Sequence, residues 1–113
     1  MTLPFETIIL SNLQKNDEYT RKVLPFIKDE YFLEESYKII FNRIKDYLDK
    51  YDSLPSLVSL EIDIDKQPLT ENVHKNIHSV FNDIKQYSED VDINWLIDET
   101  ETFCQDRSLY IAL

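Results

Sequence analysis

Two histidines, His74 and His78, stand four residues apart. On a helix that spacing puts both imidazoles on one face, within reach of a shared metal ion. A metalloprotease motif places glutamate directly after the first histidine, and here that residue is Lys75. No cysteine is near and no third ligand is evident, so the pair reads as surface histidines flanking a core stripe. The stretch "EIDIDKQPLTEN" sets acids at Glu61, Asp63 and Asp65, the odd positions of a calcium loop. Its sixth position should be glycine and is Lys66; its twelfth should be glutamate and is Asn72. These read as solvated carboxylates beside a buried edge. Glu34 with Glu35, and Asp98 with Glu99 and Glu101, are carboxylate pairs that composition alone produces in so acidic a chain. General acid–base work needs carboxylates in a cleft with separated pKa values. Cys104 falls in an apolar stripe and has no histidine nearby, which marks a buried structural thiol rather than a nucleophile. As the single cysteine it forms no internal disulfide. No catalytic, cofactor-binding or metal residue is therefore expected in this chain.

Composition narrows the remaining classes. The 113 residues contain no glycine. Phosphate-cradling loops need glycine for close backbone approach and positive φ, so Walker A loops, dinucleotide fingerprints and nucleophile elbows are excluded for this stretch. Twelve basic residues against 22 acidic ones leave a net charge of −10. That surface repels phosphate backbones, which argues against direct nucleic-acid binding and for basic or neutral protein partners. The aromatics follow core stripes and lack the basic groove of a base-stacking platform. No apolar run approaches the length of a membrane span, and "MTLPFETII" lacks the features of a signal peptide, so an intracellular protein is expected.

The elements that carry these residues are helical. A length of 113 residues suits one domain, 1–113, with one core. Phe5, Ile8, Ile9 and Leu13 mark a first helix with Pro4 in its first turn. Asn16 caps a second, which Pro25 ends near Leu24. Tyr37, Ile40, Phe41, Ile44, Tyr47, Leu48 and Tyr51 form the stripe of a central core helix. Asp52 to Pro55 is a turn. "SLVSLEIDID" fits either period, and a short helix is expected because a lone strand would have no partner. Thr70 caps a fifth helix with the stripe Val73, Ile77, Val80, Phe81 and Ile84; Asp92 caps a sixth. The fold class is all-α: about six helices in a small orthogonal bundle, the last two packed as an antiparallel helical hairpin.

The end of the chain is the exception to this order. Ile93, Leu96, Ile97, Phe103, Cys104 and Ile111 line one face of the sixth helix, but Leu109 to Leu113 are apolar on nearly every side. A helix apolar all round is buried. The pattern has no stop signal, which predicts that the helix continues in a longer chain or is covered by another one. Leu10, Leu109, Tyr110 and Leu113 are the apolar positions the core does not need, and Arg107 can add a polar contact; these are the expected interface residues.

In order, "FETIILSNL", "YTRKVLPFIKDEYF", "YKIIFNRIKDYL", "LPSLVSL" and "WLIDETETFCQDRSL" resemble the N-terminal domain of replicative hexameric DNA helicases, most nearly the branch of T-even-like bacteriophages. The resemblance runs from about Phe5 to Leu109. The cellular branch has small residues, often glycine, in the first helix, where this chain has Ser11 and Asn12. The resemblance implies a collar domain that helps a hexamer assemble and docks primase, with a helicase loader as a further candidate partner. It implies an ATP-dependent RecA-like motor, absent from this stretch and reached through a linker, where ATP and magnesium would bind. The domain itself would be no enzyme, would touch neither DNA nor membrane, and would act in the cytoplasm of the infected bacterial host. The alternative is a stand-alone acidic helical phage protein that mimics DNA or inhibits a protein by binding it.

Overall fold

The computed structural model describes residues 3–113. Among them the chain forms six α-helices and one 3₁₀ turn, and no strand. The helices are α1 (Phe5–Lys15), α2 (Asp17–Val23), α3 (Glu35–Tyr51), α4 (Leu57–Asp65), α5 (Glu71–Gln86) and α6 (Ile93–Ala112), with the 3₁₀ turn at Asp29–Tyr31. The architecture is a small all-α bundle.

Side-chain caps start four of the helices. The Asn16 Oδ1 accepts from the Tyr19 N–H at 3.0 Å, and the Ser56 Oγ from the Ser59 N–H at 3.1 Å. The Thr70 Oγ1 accepts from the Val73 N–H at 3.3 Å, and the Asp92 Oδ1 from the Trp95 N–H at 2.9 Å. Each such cap stabilises its helix by about 1 kcal/mol. α3 ends on Asp52 with φ 53°, the left-handed region that glycine usually occupies. With no glycine in the chain, aspartate takes the position, and Arg21 braces it. That guanidinium donates to the Asp52 side chain at 2.9 Å, to its carbonyl at 3.0 Å and to Asp17 at 2.8 Å.

α3 is the centre of the bundle and packs against α1, α4, α5 and the 3₁₀ turn. Ile40, Phe41, Ile44 and Leu48 of its stripe are buried, whereas Tyr51 is exposed. Tyr47 and Tyr51 pack against each other in a tilted pair, ring centres 4.6 Å apart, outside the core. The connection after α2 carries its own core residue. Phe32 is fully buried, its ring 5.3 Å from Phe41 and 6.0 Å from Phe103. Burial on that scale is worth about 1.5–3 kcal/mol for a large side chain.

α1 is enclosed by α2, α3 and α5. It therefore buries Ile9, Leu10 and Leu13 together with Thr7, Ser11 and Asn12. Two of the polar members are held across or along the helix: the Asn12 amide donates to the Ile8 carbonyl at 2.9 Å, and the Thr7 hydroxyl meets the Tyr37 hydroxyl at 3.3 Å.

The antiparallel hairpin expected of the last two helices does not form as a close pair. α5 spends its stripe on α3 and α1, and α6 leans instead on α2 and the 3₁₀ turn. The Tyr19 and Thr100 hydroxyls share a buried hydrogen bond at 2.7 Å, which fixes α6 to α2. A short connection brings two helices near each other, but the partner of each is decided by which stripe fits which groove.

Candidate functional site

The histidine pair is drawn toward the end of α4. The His78 Nε2–H donates to Asp65 Oδ1 at 3.0 Å, and the His74 Nε2–H donates to the Gln67 carbonyl at 3.3 Å. Asp65 at the end of α4 thus faces both rings, with the His74 Nδ1 4.0 Å from the same carboxylate oxygen. Among the described residues no group of three or more His, Cys, Asp or Glu side chains is placed to hold a metal ion. Glu61, Asp63 and Asp65 lie on α4 rather than in a loop, so their carboxylates do not wrap one point. Glu61 instead pairs with Lys85 at 2.6 Å, tying α4 to α5. Cys104 is buried, and desolvation pushes its thiol up to about 11, with a smaller contribution from the charge of Glu101. Such a thiol is protonated near neutrality and a poor nucleophile. Desolvation raises the Tyr19 phenol strongly, against the opposing hydrogen bond to Thr100, so it too stays neutral.

The five expected interface residues fall into three groups. Leu10 has no exposed surface and cannot meet a partner. The expectation fails because α1 is covered on three sides and needs that leucine inside. Arg107 is engaged within the domain. Its Nη1 donates to the Tyr31 carbonyl at 3.0 Å, its Nη2 lies 3.6 Å from Glu6, and its guanidinium sits over the Phe103 ring at 4.8 Å. It works as a strap joining α6 to α1 and the 3₁₀ turn. Leu109, Tyr110 and Leu113 are exposed, the first two by 68% and 66%. They follow Cys104, the last buried residue of α6. Ile111, placed on the inner stripe by spacing, is exposed as well.

An open hollow of about 700 Å³ borders this end, walled in part by Phe26, Tyr31, Cys104, Ser108 and Leu109. The exposed apolar surface of α6 is therefore continuous with a concave one. Sequence reasoning passed over a further exposed aromatic, Trp95, half exposed on the first turn of α6. The signal was there: Trp95 falls off the stripe of Leu96, Thr100 and Cys104 that the helix buries.

The fold is thus a small all-α bundle whose last helix overhangs it. No family model matches the chain. Over 105 residues, 93% of its length, it is 31% identical to the DnaB-like replicative helicase of Enterobacteria phage T4. The chain spans 22% of that protein's length. By sequence it is similar to one region of a replicative helicase. No helix among the described residues is long and apolar enough to cross a membrane.

Proposed function

We propose that this chain is the N-terminal assembly and primase-docking domain of a phage replicative DNA helicase. The observation that carries the reading is the similarity just described: nearly the whole chain aligns with about a fifth of a DnaB-like helicase. The remaining length of such a protein is where a RecA-like motor, its ATP and its magnesium belong. The collar acts without covalent chemistry. Copies associate through the exposed end of α6, with Leu109, Tyr110 and Leu113 as contacts, and the ring raises the local concentration of motors and of primase. A net charge of −10 suits a surface that docks proteins and leaves DNA to the motor.

Two measurements test this. The coding sequence downstream of Leu113 should continue into a helical linker and a glycine-rich phosphate loop; a stop codon directly after Leu113 would overturn the reading. Sedimentation of the wild type should show a self-associating species that Leu109→Asp and Tyr110→Asp each weaken by tenfold or more, about 1.4 kcal/mol. Identical association in wild type and both variants would remove α6 from the interface.

A further inference from the structure

From Trp95 to Asp106, α6 carries an unpartnered outward face distinct from its apolar end. Trp95 is the only tryptophan of the chain and is 50% exposed. At helical spacing Asp98, Glu99, Thr102 and Asp106 follow it on the same outward face, opposite the buried Leu96, Thr100 and Cys104. All four are exposed. Between Lys85 and Arg107 the sequence contains no lysine, arginine or histidine. Ion pairs elsewhere occupy Glu6, Asp17, Glu18, Asp46, Asp52 and Glu61, and Asp65 faces His78, but among the described residues no cation is paired with a carboxylate of α6. Leu33 also adjoins exposed acids, Glu34 and Glu35, but has no ring on which a guanidinium can stack. Val58 and Ile62 form an exposed pair on α4, where the neighbouring Lys85 already neutralises Glu61.

We infer that this face of α6 docks a basic, arginine-bearing segment of a partner protein, with Trp95 as the anchor. The chemistry is specific to that class. A guanidinium stacks flat on an indole, and a second one a turn away forks onto a carboxylate. Residues three and four apart on a helix stand about 5–6 Å from each other, so Asp98 and Glu99 flank the ring at the distance such a segment bridges. A phosphate-bearing ligand is repelled by the same carboxylates. Tryptophan and arginine are also the residues that dominate binding energy where interfaces exclude water. The inference goes beyond the helicase reading and does not depend on it, since it uses only the exposed ring and the charge around it.

The test uses a labelled amphipathic peptide of arginine, leucine and alanine, and its counterpart with glutamate for arginine. Trp95 is the sole indole, so its emission reports the site directly. The basic peptide should shift or quench that emission, and the acidic one should not. Read by anisotropy of the label, Trp95→Ala should weaken binding about tenfold or more, and Asp98→Asn with Glu99→Gln by a similar factor. Glu34→Gln with Glu35→Gln removes equal charge at the start of α3 and should change affinity less than about twofold. Four results would each overturn the inference: no binding of the basic peptide, no loss with Trp95→Ala, equal loss in the two double variants, or a change in the chain's own sedimentation on Trp95→Ala without peptide. The last would assign the face to a second copy.

Discussion

The two halves of α6 obey different rules. From Ile93 to Cys104 the helix buries Leu96, Thr100 and Cys104 against the bundle and turns Trp95 and a row of carboxylates outward. From Gln105 onward the Arg107 strap ties it to the bundle, and Leu109, Tyr110, Ile111 and Leu113 are exposed. Both halves present apolar surface to solvent. In the first it is one aromatic ring among unpaired acids, and in the second a group of aliphatic and aromatic side chains beside a hollow. Exposed apolar residues therefore do not define one kind of partner. The charge around them does: the acidic face fits a basic segment, and the apolar last turn, Ser108 to Leu113, fits another apolar surface.

Leu96 separates the two halves most sharply. Leu96→Ala should destabilise the chain by roughly 2–5 kcal/mol in denaturant titration, because a cavity opens in the core. Leu109→Ala should cost the monomer no more than about 0.5 kcal/mol. Equal effects would mean that both halves of the helix are packed alike. A smaller change is expected of Thr100→Val, which leaves the buried Tyr19 hydroxyl without its partner. Its cost should be about 1–3 kcal/mol, and Tyr19→Phe combined with Thr100→Val should recover part of it.

The smallest effect is a slope with pH. Burial raises the Cys104 thiol from its ordinary 9.0 to about 11. Below about pH 9 both folded and unfolded thiols are protonated and the stabilisation is complete. Between 9 and 11 the unfolded chain ionises first, so stability falls as pH rises. Buried Tyr19 and Tyr37, also raised, act in the same direction at still higher pH. Cys104→Ala should flatten the slope between pH 9 and 10 by up to about 1.4 kcal/mol per unit. An unchanged slope would place the thiol in solvent and α6 off the bundle.

Much of the fold was legible in the sequence. The stripe from Tyr37 to Leu48, the caps Asn16, Thr70 and Asp92, and the break at Pro25 all mark real elements, because capping and helical period are local physics. The ambiguous "SLVSLEIDID" is a helix, as the lack of a strand partner required. The 3₁₀ turn and the buried Phe32 after α2 were not legible, since no period marks so short a segment. The interface residues divide on the same line. Leu109, Tyr110 and Leu113 are exposed because no stripe claims them; Leu10 looked equally spare and is wholly buried.

The helical class, most element boundaries, the acidic surface and the lack of glycine that rules out phosphate loops follow from the amino-acid order and totals. Each depends on near neighbours or on totals. Only the tertiary structure decided that α1 is enclosed, that α6 pairs with α2 rather than α5, that Arg107 is a strap, and that Trp95 stands free. Those outcomes depend on which surfaces meet across long separations, such as Tyr19 with Thr100. A helical stripe states that a face must be covered, not by what.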